Sequence, residues 1–252
     1  MSFALKVNFT NEDIFKKMIY QLLEMESIDI NSMLCEGMNL FDYAIEIGDF
    51  ELLDVLLTDK RFDPNEGDYD GKTLFYYMCE YGDTEVIEFL LEYNKIDPTK
   101  RNKWDISPFD IACDKKHDDI VELLMGDSRI DITYVDRNGN IPLHTACMHD
   151  NLEIVKLIIN DPRVDINGIN SYGETPFYSA CECGSFDTVK LLMNDSRTNI
   201  HTKKQAITPL YIACRGGYLD IIEYILKNSD DVEMPDGSFS DDVEDILDKY
   251  RD

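Results

Sequence analysis

The chain has 252 residues, of which 44% are hydrophobic and 30% are charged, so it has enough apolar material for a folded core. Its 24 basic and 51 acidic residues give a net charge of −27, which disfavours general binding to nucleic acid or to an anionic membrane. The N-terminus has no basic segment followed by an apolar stretch, and no apolar run reaches about 18 residues. We therefore expect an intracellular protein, cytoplasmic or nuclear, without a signal peptide or membrane span.

Residues 1–36 are predicted to form an N-terminal cap or half repeat. Apolar residues recur there at helical spacing, in the set Ile14, Phe15, Met18, Ile19, Leu22 and Leu23. The motif Ile28-Asp29-Ile30-Asn31 follows and stands 34 residues before the similar Phe62-Asp63-Pro64-Asn65. This spacing places the segment in the same register as the rest of the chain.

Six similar segments follow at a near-constant interval, and they open at Gly37, Gly71, Asp105, Gly139, Gly173 and Ala206. The steps between these residues are 34, 34, 34, 34 and 33. A fixed period of about 20 to 50 residues is typical of a stacked array, in which each unit buries its apolar face against its neighbours. We expect one domain over residues 1–252, with repeats at 37–70, 71–104, 105–138, 139–172, 173–205 and 206–230.

Each segment carries signals for two short helices. Hydroxyl residues suited to capping precede the first helix at Thr73, Ser107, Thr175 and Thr208. Prolines suited to the first helical position follow at Pro108, Pro142, Pro176 and Pro209. Glycines that can close that helix occur at Gly48, Gly82, Gly184 and Gly217. Acidic residues then begin the second helix at Glu51, Glu85, Asp119, Glu153, Asp187 and Asp220.

These signals together resemble ankyrin repeats. The segment from Gly139 to Ala146 matches the family's Gly-x-Thr-Pro-Leu-His-x-Ala pattern except at Ile141. Tetratricopeptide repeats share the 34-residue period, but a short Thr-Pro helix and a turn-rich connection do not fit their two long helices. The resemblance implies an all-α ankyrin-repeat solenoid of stacked helix-turn-helix units with projecting loops or short β-hairpins. It also implies that His144 ties neighbouring loops by hydrogen bonds.

The cysteines and histidines do not indicate a catalytic or metal site. Five cysteines recur once per repeat, at Cys79, Cys113, Cys147, Cys181 and Cys214, and are predicted to be small, reduced core residues. Cys35 and Cys183 are expected to be exposed. No Cys-x-x-Cys pair, His/Cys/Asp cluster or glycine-rich phosphate loop occurs, so we expect no enzyme activity, no cofactor and no metal.

Residues 231–252 are predicted to form an acidic C-terminal capping helix after the turn at Pro235-Asp236-Gly237. Its apolar residues fall at helical spacing, at Phe239, Val243, Ile246, Leu247 and Tyr250. The alternative is an acidic tail that is recruited by a basic partner.

The family resemblance implies that a partner contacts the loop tips and the exposed side of the first helix. At those positions we predict a partner-binding set: Tyr69, Asp70, Lys72, Tyr81, Lys103, Trp104, Lys115, Arg137, Asn138, Met148, His149 and Tyr172. Aromatic residues and arginine are enriched at binding hot spots. The basic residues Arg101, Lys103, Lys115, Arg137 and His149 point to an acidic or phosphorylated peptide.

The function that we predict is therefore a non-catalytic protein-protein interaction scaffold. It would act as a monomer and bind a partner polypeptide, without nucleic acid or membrane. The alternative is a structural or self-assembling repeat element, in which exposed caps make the contacts.

Overall fold

The computed structural model describes residues 17, 19–21, 23–25, 40–229 and 231–251. Contacts divide the chain into two compact units, Met1–Glu66 and Gly67–Asp252. In the first unit, α1 (Leu40–Glu46) packs on α2 (Phe50–Thr58). Gly37, Cys35 and most of the predicted N-terminal apolar face lie outside the described residues, whereas Ile19 is buried.

The second unit contains a regular series of short helices. In chain order they are α3 (Leu74–Tyr81), α4 (Thr84–Leu91), α5 (Pro108–Lys115), α6 (Asp118–Gly126), α7 (Pro142–Met148), α8 (Leu152–Ile159), α9 (Pro176–Cys183), α10 (Phe186–Met193), α11 (Pro209–Gly216), α12 (Leu219–Asn228) and α13 (Asp241–Asp248). The first helix of each repeat packs against the first helices of its neighbours, and second helices pack likewise against second helices. The predicted all-α architecture of stacked helix-turn-helix units is confirmed.

The predicted capping residues begin the first helices. The Oγ1 atoms of Thr73, Thr175 and Thr208 each accept a backbone N–H at 3.1 Å, three residues along the chain. Ser107 does the same through Oγ. Ile141, where the family pattern is broken, has no such oxygen, and Nδ1 of His144 instead accepts the Ile141 N–H at 3.3 Å. Each first helix therefore begins where its local sequence satisfies an otherwise unpaired donor.

The turns between paired helices use left-handed backbone. Gly82, Gly184 and Gly217 close their helices at φ between 71° and 89°, as predicted. Lys116 and Asp150 hold the same position at φ of 62° and 49°, although neither is a glycine. Asp150 compensates through Oδ1, which accepts the N–H and hydroxyl of Thr188 in the next repeat.

The core runs between the two helix layers. The five repeating cysteines are at most 3% exposed and are not disulfide-bonded, which confirms their predicted packing role. Burial raises the pKa of the Cys214 thiol to about 12 and that of Cys79 further, so these thiols remain protonated. Cys183 is exposed, as predicted.

Arginines after the second helices link consecutive repeats. Arg129 pairs with Asp127 and donates to the backbone oxygens of Leu91 and Ile96 in the preceding repeat. Arg197 pairs with Asp195 and donates to the Ile159 oxygen at 3.0 Å. These guanidinium groups satisfy carbonyls at the end of the preceding second helix, where the helix dipole favours a positive charge.

The C-terminal helix α13 packs on α12 and buries Val243, Ile246 and Leu247. The Phe239 ring lies 5.6 Å from the ring of Tyr211 in α11, in an edge-to-face arrangement. The first turn of α13 contains three acidic residues, Asp241, Asp242 and Glu244, which lie at the positive end of the helix dipole.

Candidate functional site

Four loops that precede the first helices are organised by one equivalent side chain, at Asp68, Asn102, Asp136 and Asn170. In each loop Oδ1 accepts the backbone N–H groups two and four residues later, at 2.8 to 3.0 Å. Such Asx turns hold the backbone in a tight reversal. This role was not predicted from the sequence, although an Asp or Asn recurs every 34 residues at these positions.

Neighbouring loop tips are joined directly. The N–H of Lys103 donates to the oxygen of Asp70 at 2.8 Å, and the N–H of Ser171 donates to the oxygen of Asn138 at 2.8 Å. Between these two contacts, Nη2 of Arg137 donates to the backbone oxygen of Lys103 at 3.1 Å. We call the surface made by Tyr69, Asp70, Lys103, Trp104, Arg137, Asn138 and Tyr172 the loop-tip row.

Three aromatic residues of the loop-tip row are exposed. Tyr69 is 96% exposed, Trp104 51% and Tyr172 55%. The ammonium of Lys103 lies 4.7 Å from the Tyr69 ring centroid and 4.5 Å from that of Trp104, and it forms an ion pair with Asp70. Four predicted site residues from two repeats therefore form one contiguous cluster, which consists of Tyr69, Asp70, Lys103 and Trp104.

Asn138 and Tyr172 form a second part of the loop-tip row. The hydroxyl of Tyr172 donates to Oδ1 of Asn138 at 3.2 Å. Lys204 lies 5.6 Å from the Tyr172 ring centroid and forms an ion pair with Glu174. Hydrogen bonds from Asn170 and Lys204 outweigh burial and lower the pKa of the Glu174 carboxyl, so this pair is charged at neutral pH.

On the first-helix side, Lys72 and Tyr81 lie in one aromatic cluster. The half-buried Lys72 pairs with Glu80 at 3.1 Å and lies 5.1 Å from the ring centroids of both Tyr76 and Tyr77. Tyr81 is 70% exposed and stacks on Tyr77 at a centroid distance of 6.1 Å. Tyr81 is thus the solvent-exposed edge of this cluster, whereas the Lys72 ammonium is already occupied by Glu80 and by the two tyrosine rings.

The remaining predicted residues lie at the ends of α5 and α7. Lys115 and His149 both approach Asp114, at 3.1 Å and 3.4 Å. Met148 is half-buried, and its backbone oxygen accepts a hydrogen bond from the Ser185 hydroxyl at 3.4 Å. Among the described residues, these three form no hydrogen bond or ion pair with the loop-tip row.

The predicted basic cluster is largely neutralised within the chain. Arg101 turns away from the loop-tip row, lies 4.0 Å from the Tyr134 ring centroid and pairs with Asp105 at 3.5 Å. Lys103, Lys115 and His149 each have a carboxylate neighbour. Arg137 differs, since within the described part of the chain its guanidinium meets a backbone oxygen and no carboxylate.

Arg101 also borders a cavity of about 290 Å³ beside α5. Its polar lining includes Ser107 and Tyr134, whose hydroxyl groups lie 2.9 Å apart, and the Tyr134 hydroxyl also contacts the carboxylate of Asp110. Burial raises the pKa of both Asp110 and Tyr134. These polar groups satisfy one another, so they hold the loop against the helix.

His144 performs the role that the family resemblance implied. It is fully buried, and its Nε2 donates to the backbone oxygen of Glu174 at 2.9 Å. Burial lowers its pKa, which favours the neutral ring that this arrangement uses. Across residues 17–25 and 40–251, where the structure describes them, no three acidic, histidine or cysteine side chains are placed to hold a metal ion.

A family model described as ankyrin repeats in three copies matches residues 6–102, 40–136 and 109–206, and an ankyrin-repeat model matches residues 207–237. These matches span most of the chain, so the protein belongs to the ankyrin-repeat family. Members of this family are generally non-catalytic protein-protein interaction modules. None of the curated proteins matches the chain. No helix in its described part is long and apolar enough to cross a membrane.

Proposed function

We propose that this protein is a non-catalytic scaffold that binds a partner polypeptide along the loop-tip row and the adjoining exposed edge of the first helices. The observation that supports this most strongly is the cluster of Tyr69, Lys103 and Trp104. Two large rings are exposed there on loops whose backbones are tied together. Rigid aromatic groups provide much contact area for little loss of conformational entropy, which is why they recur as binding anchors.

The proposed partner segment carries an acidic or phosphorylated residue that pairs with Arg137. This guanidinium is exposed on the loop-tip row and, among the described residues, has no carboxylate partner. A guanidinium can bind a carboxylate or a phosphate through two parallel hydrogen bonds. The other basic groups of the cluster already have carboxylate neighbours, so we assign the charge recognition to Arg137 first.

A comparative capture experiment tests this proposal. The wild-type protein and the double variant Trp104→Ala/Arg137→Ala are used as baits, and bound proteins are quantified by mass spectrometry. A protein lost from the variant is then purified and its Kd measured for both baits. We expect the double variant to bind at least about tenfold more weakly, because each anchor removed from a hot spot costs about 1 kcal/mol or more.

Leu219→Ala is the matched control, because Leu219 is an exposed large apolar residue at the start of α12 and away from the loop-tip row. Its affinity for the same partner should equal that of the wild type. Equal affinity of the double variant and the wild type would refute the proposed surface.

We further propose that the scaffold acts as a monomer inside the cell. The buried cysteines are free thiols, as in a reducing compartment. Sedimentation velocity over a hundredfold concentration range, of about 1 to 100 μM, should give one unchanged coefficient, whereas a rising coefficient would support the self-assembling alternative.

A further inference from the structure

We propose that Lys103 is a positioning residue, which fixes the Tyr69 and Trp104 rings for binding and does not itself pair with the partner. This inference rests on the proposed function of the loop-tip row and refines it. It assigns different roles to two basic residues, Lys103 and Arg137, that are equivalent in the repeat pattern.

The Lys103 ammonium contacts two aromatic rings. Its nitrogen lies 4.7 Å from the ring centroid of Tyr69 and 4.5 Å from that of Trp104. Both distances are within the range of about 6 Å in which a cation is attracted to the face of an aromatic ring. The rings belong to consecutive loops, so one ammonium links two side chains that the backbone alone would leave free to change rotamer.

The backbone of Lys103 is fixed by hydrogen bonds on both sides. Its N–H donates to Asp70 and its oxygen accepts from Arg137. The preceding residue, Asn102, is 5% exposed and holds the N–H of Trp104 at 2.9 Å. The backbone that carries the lysine side chain is therefore held in place, so loop motion does not weaken the contacts of this side chain with the two rings.

Lys103 and Arg137 differ in the charges that surround them. Asp70 lies in contact with the Lys103 ammonium and neutralises it. Arg137, one tip further along, has no carboxylate neighbour among the described residues. The row therefore offers a partner two aromatic rings at the first two of the four loops and a positive charge without a carboxylate neighbour at the third. The matching segment has an apolar side chain for the ring pair, followed by the acidic group for Arg137.

Trp104 is the only tryptophan of the chain, so its fluorescence reports this cluster alone. We would measure acrylamide quenching of Trp104 in the full-length protein without any partner. Lys103→Met removes the charge but keeps the length of the side chain, and we expect the quenching constant to rise by about twofold as the indole is released. Lys103→Arg retains a cation and should preserve the wild-type value.

Lys203→Met is the matched control. Lys203 is 43% exposed, compared with 41% for Lys103, and it also pairs with a carboxylate, that of Glu233, but contacts no aromatic ring within the part of the chain that the structure describes. This variant should quench like the wild type. Circular dichroism confirms that each variant is folded before the quenching constants are compared.

Two outcomes would overturn the proposal: a quenching constant of Lys103→Met equal to that of the wild type, or a rise in Lys103→Arg as large as in Lys103→Met. The measurement needs no partner, so it is independent of the capture experiment. If quenching follows the expectation but capture is unaffected by Trp104→Ala/Arg137→Ala, the positioning role stands and the proposed function falls.

Discussion

The four loops organised by an Asp or Asn differ from the last loop, around residues 204–207, in how each reversal is held. In the four regular loops, one Oδ1 satisfies two N–H groups. The last loop has Lys204 at the equivalent position, and two backbone hydrogen bonds between Lys204 and Ile207 close it. Gln205 and Ala206 then adopt φ of 48° and 73°. The last loop is also one residue shorter, so its reversal uses two left-handed residues, whereas each regular loop uses one, at Gly71, Asp105, Gly139 or Gly173.

The largest expected effect comes from removing the central side chain of a regular loop. Asn102→Ala leaves the N–H groups of Trp104 and Ile106 without their acceptor, and it removes the contact with the Tyr76 hydroxyl. Both of these hydrogen bonds are only partly buried, so water replaces them in part, and we expect the free energy of unfolding to fall by about 2 kcal/mol in urea denaturation.

Gln205→Ala, at the exposed tip of the last loop, is the control for this comparison. We expect it to change the unfolding free energy by less than about 0.5 kcal/mol. An Asn102→Ala variant as stable as Gln205→Ala would mean that the Asx turns do not support the regular loops.

A smaller effect is expected where a regular loop contacts the last one, at Glu174. Its carboxylate pairs with Lys204 and accepts a hydrogen bond from Asn170 at 2.7 Å. Because its pKa is lowered in the folded state, its contribution is complete above the ordinary carboxyl value and is lost as pH falls through the folded pKa.

Glu174→Gln should therefore lower the free energy of unfolding by about 1 kcal/mol at neutral pH and by much less at about pH 3. Urea denaturation at both pH values measures the difference. A deficit that is equal at the two pH values would show that the carboxylate charge does not contribute.

Two reciprocal substitutions should change stability in opposite directions. Gly173 has φ of 79°, and apart from its chain neighbours no atom of the described residues lies within 4 Å of an added Cβ, so Gly173→Ala would cost only backbone strain, about 1 kcal/mol. Ala206→Gly should relieve comparable strain, offset by the greater freedom of glycine in the unfolded chain, for a net gain of up to about 0.5 kcal/mol. Thermal unfolding of both variants tests the sign of each change in stability. A destabilised Ala206→Gly variant would show that the backbone at Ala206 is not strained.

The smallest expected effect is that of Tyr172→Phe, which removes one exposed hydrogen bond to Asn138. We expect a loss below about 0.5 kcal/mol in urea denaturation, because water replaces this partner. A loss above about 1 kcal/mol would show that the contact between these two loop tips is a main support of the row.

The local elements could be predicted because their signals are short-range. Thr73, Thr175 and Thr208 precede first helices and cap them, and Gly82, Gly184 and Gly217 end the same helices. The repeat register also predicted that Tyr69 and Trp104 are exposed, because it places both residues at loop tips and outside the helical core. The position of the Arg101 side chain could not be predicted in this way, because its contact with Tyr134 joins two residues that are 33 positions apart in the sequence.

By itself, the sequence determined the two-helix repeat, the stacking period, the family and the cysteine core, since each depends on residues within one repeat and on the recurrence of that repeat. Only the tertiary structure decided which basic groups of the loop tips have a carboxylate neighbour within the chain. Lys103 and Arg137 are both basic loop-tip residues, yet Asp70 of the preceding repeat neutralises one, while the other meets a backbone oxygen. Coulomb attraction depends on distance in space, and the repeat pattern does not specify the side-chain distances between neighbouring copies.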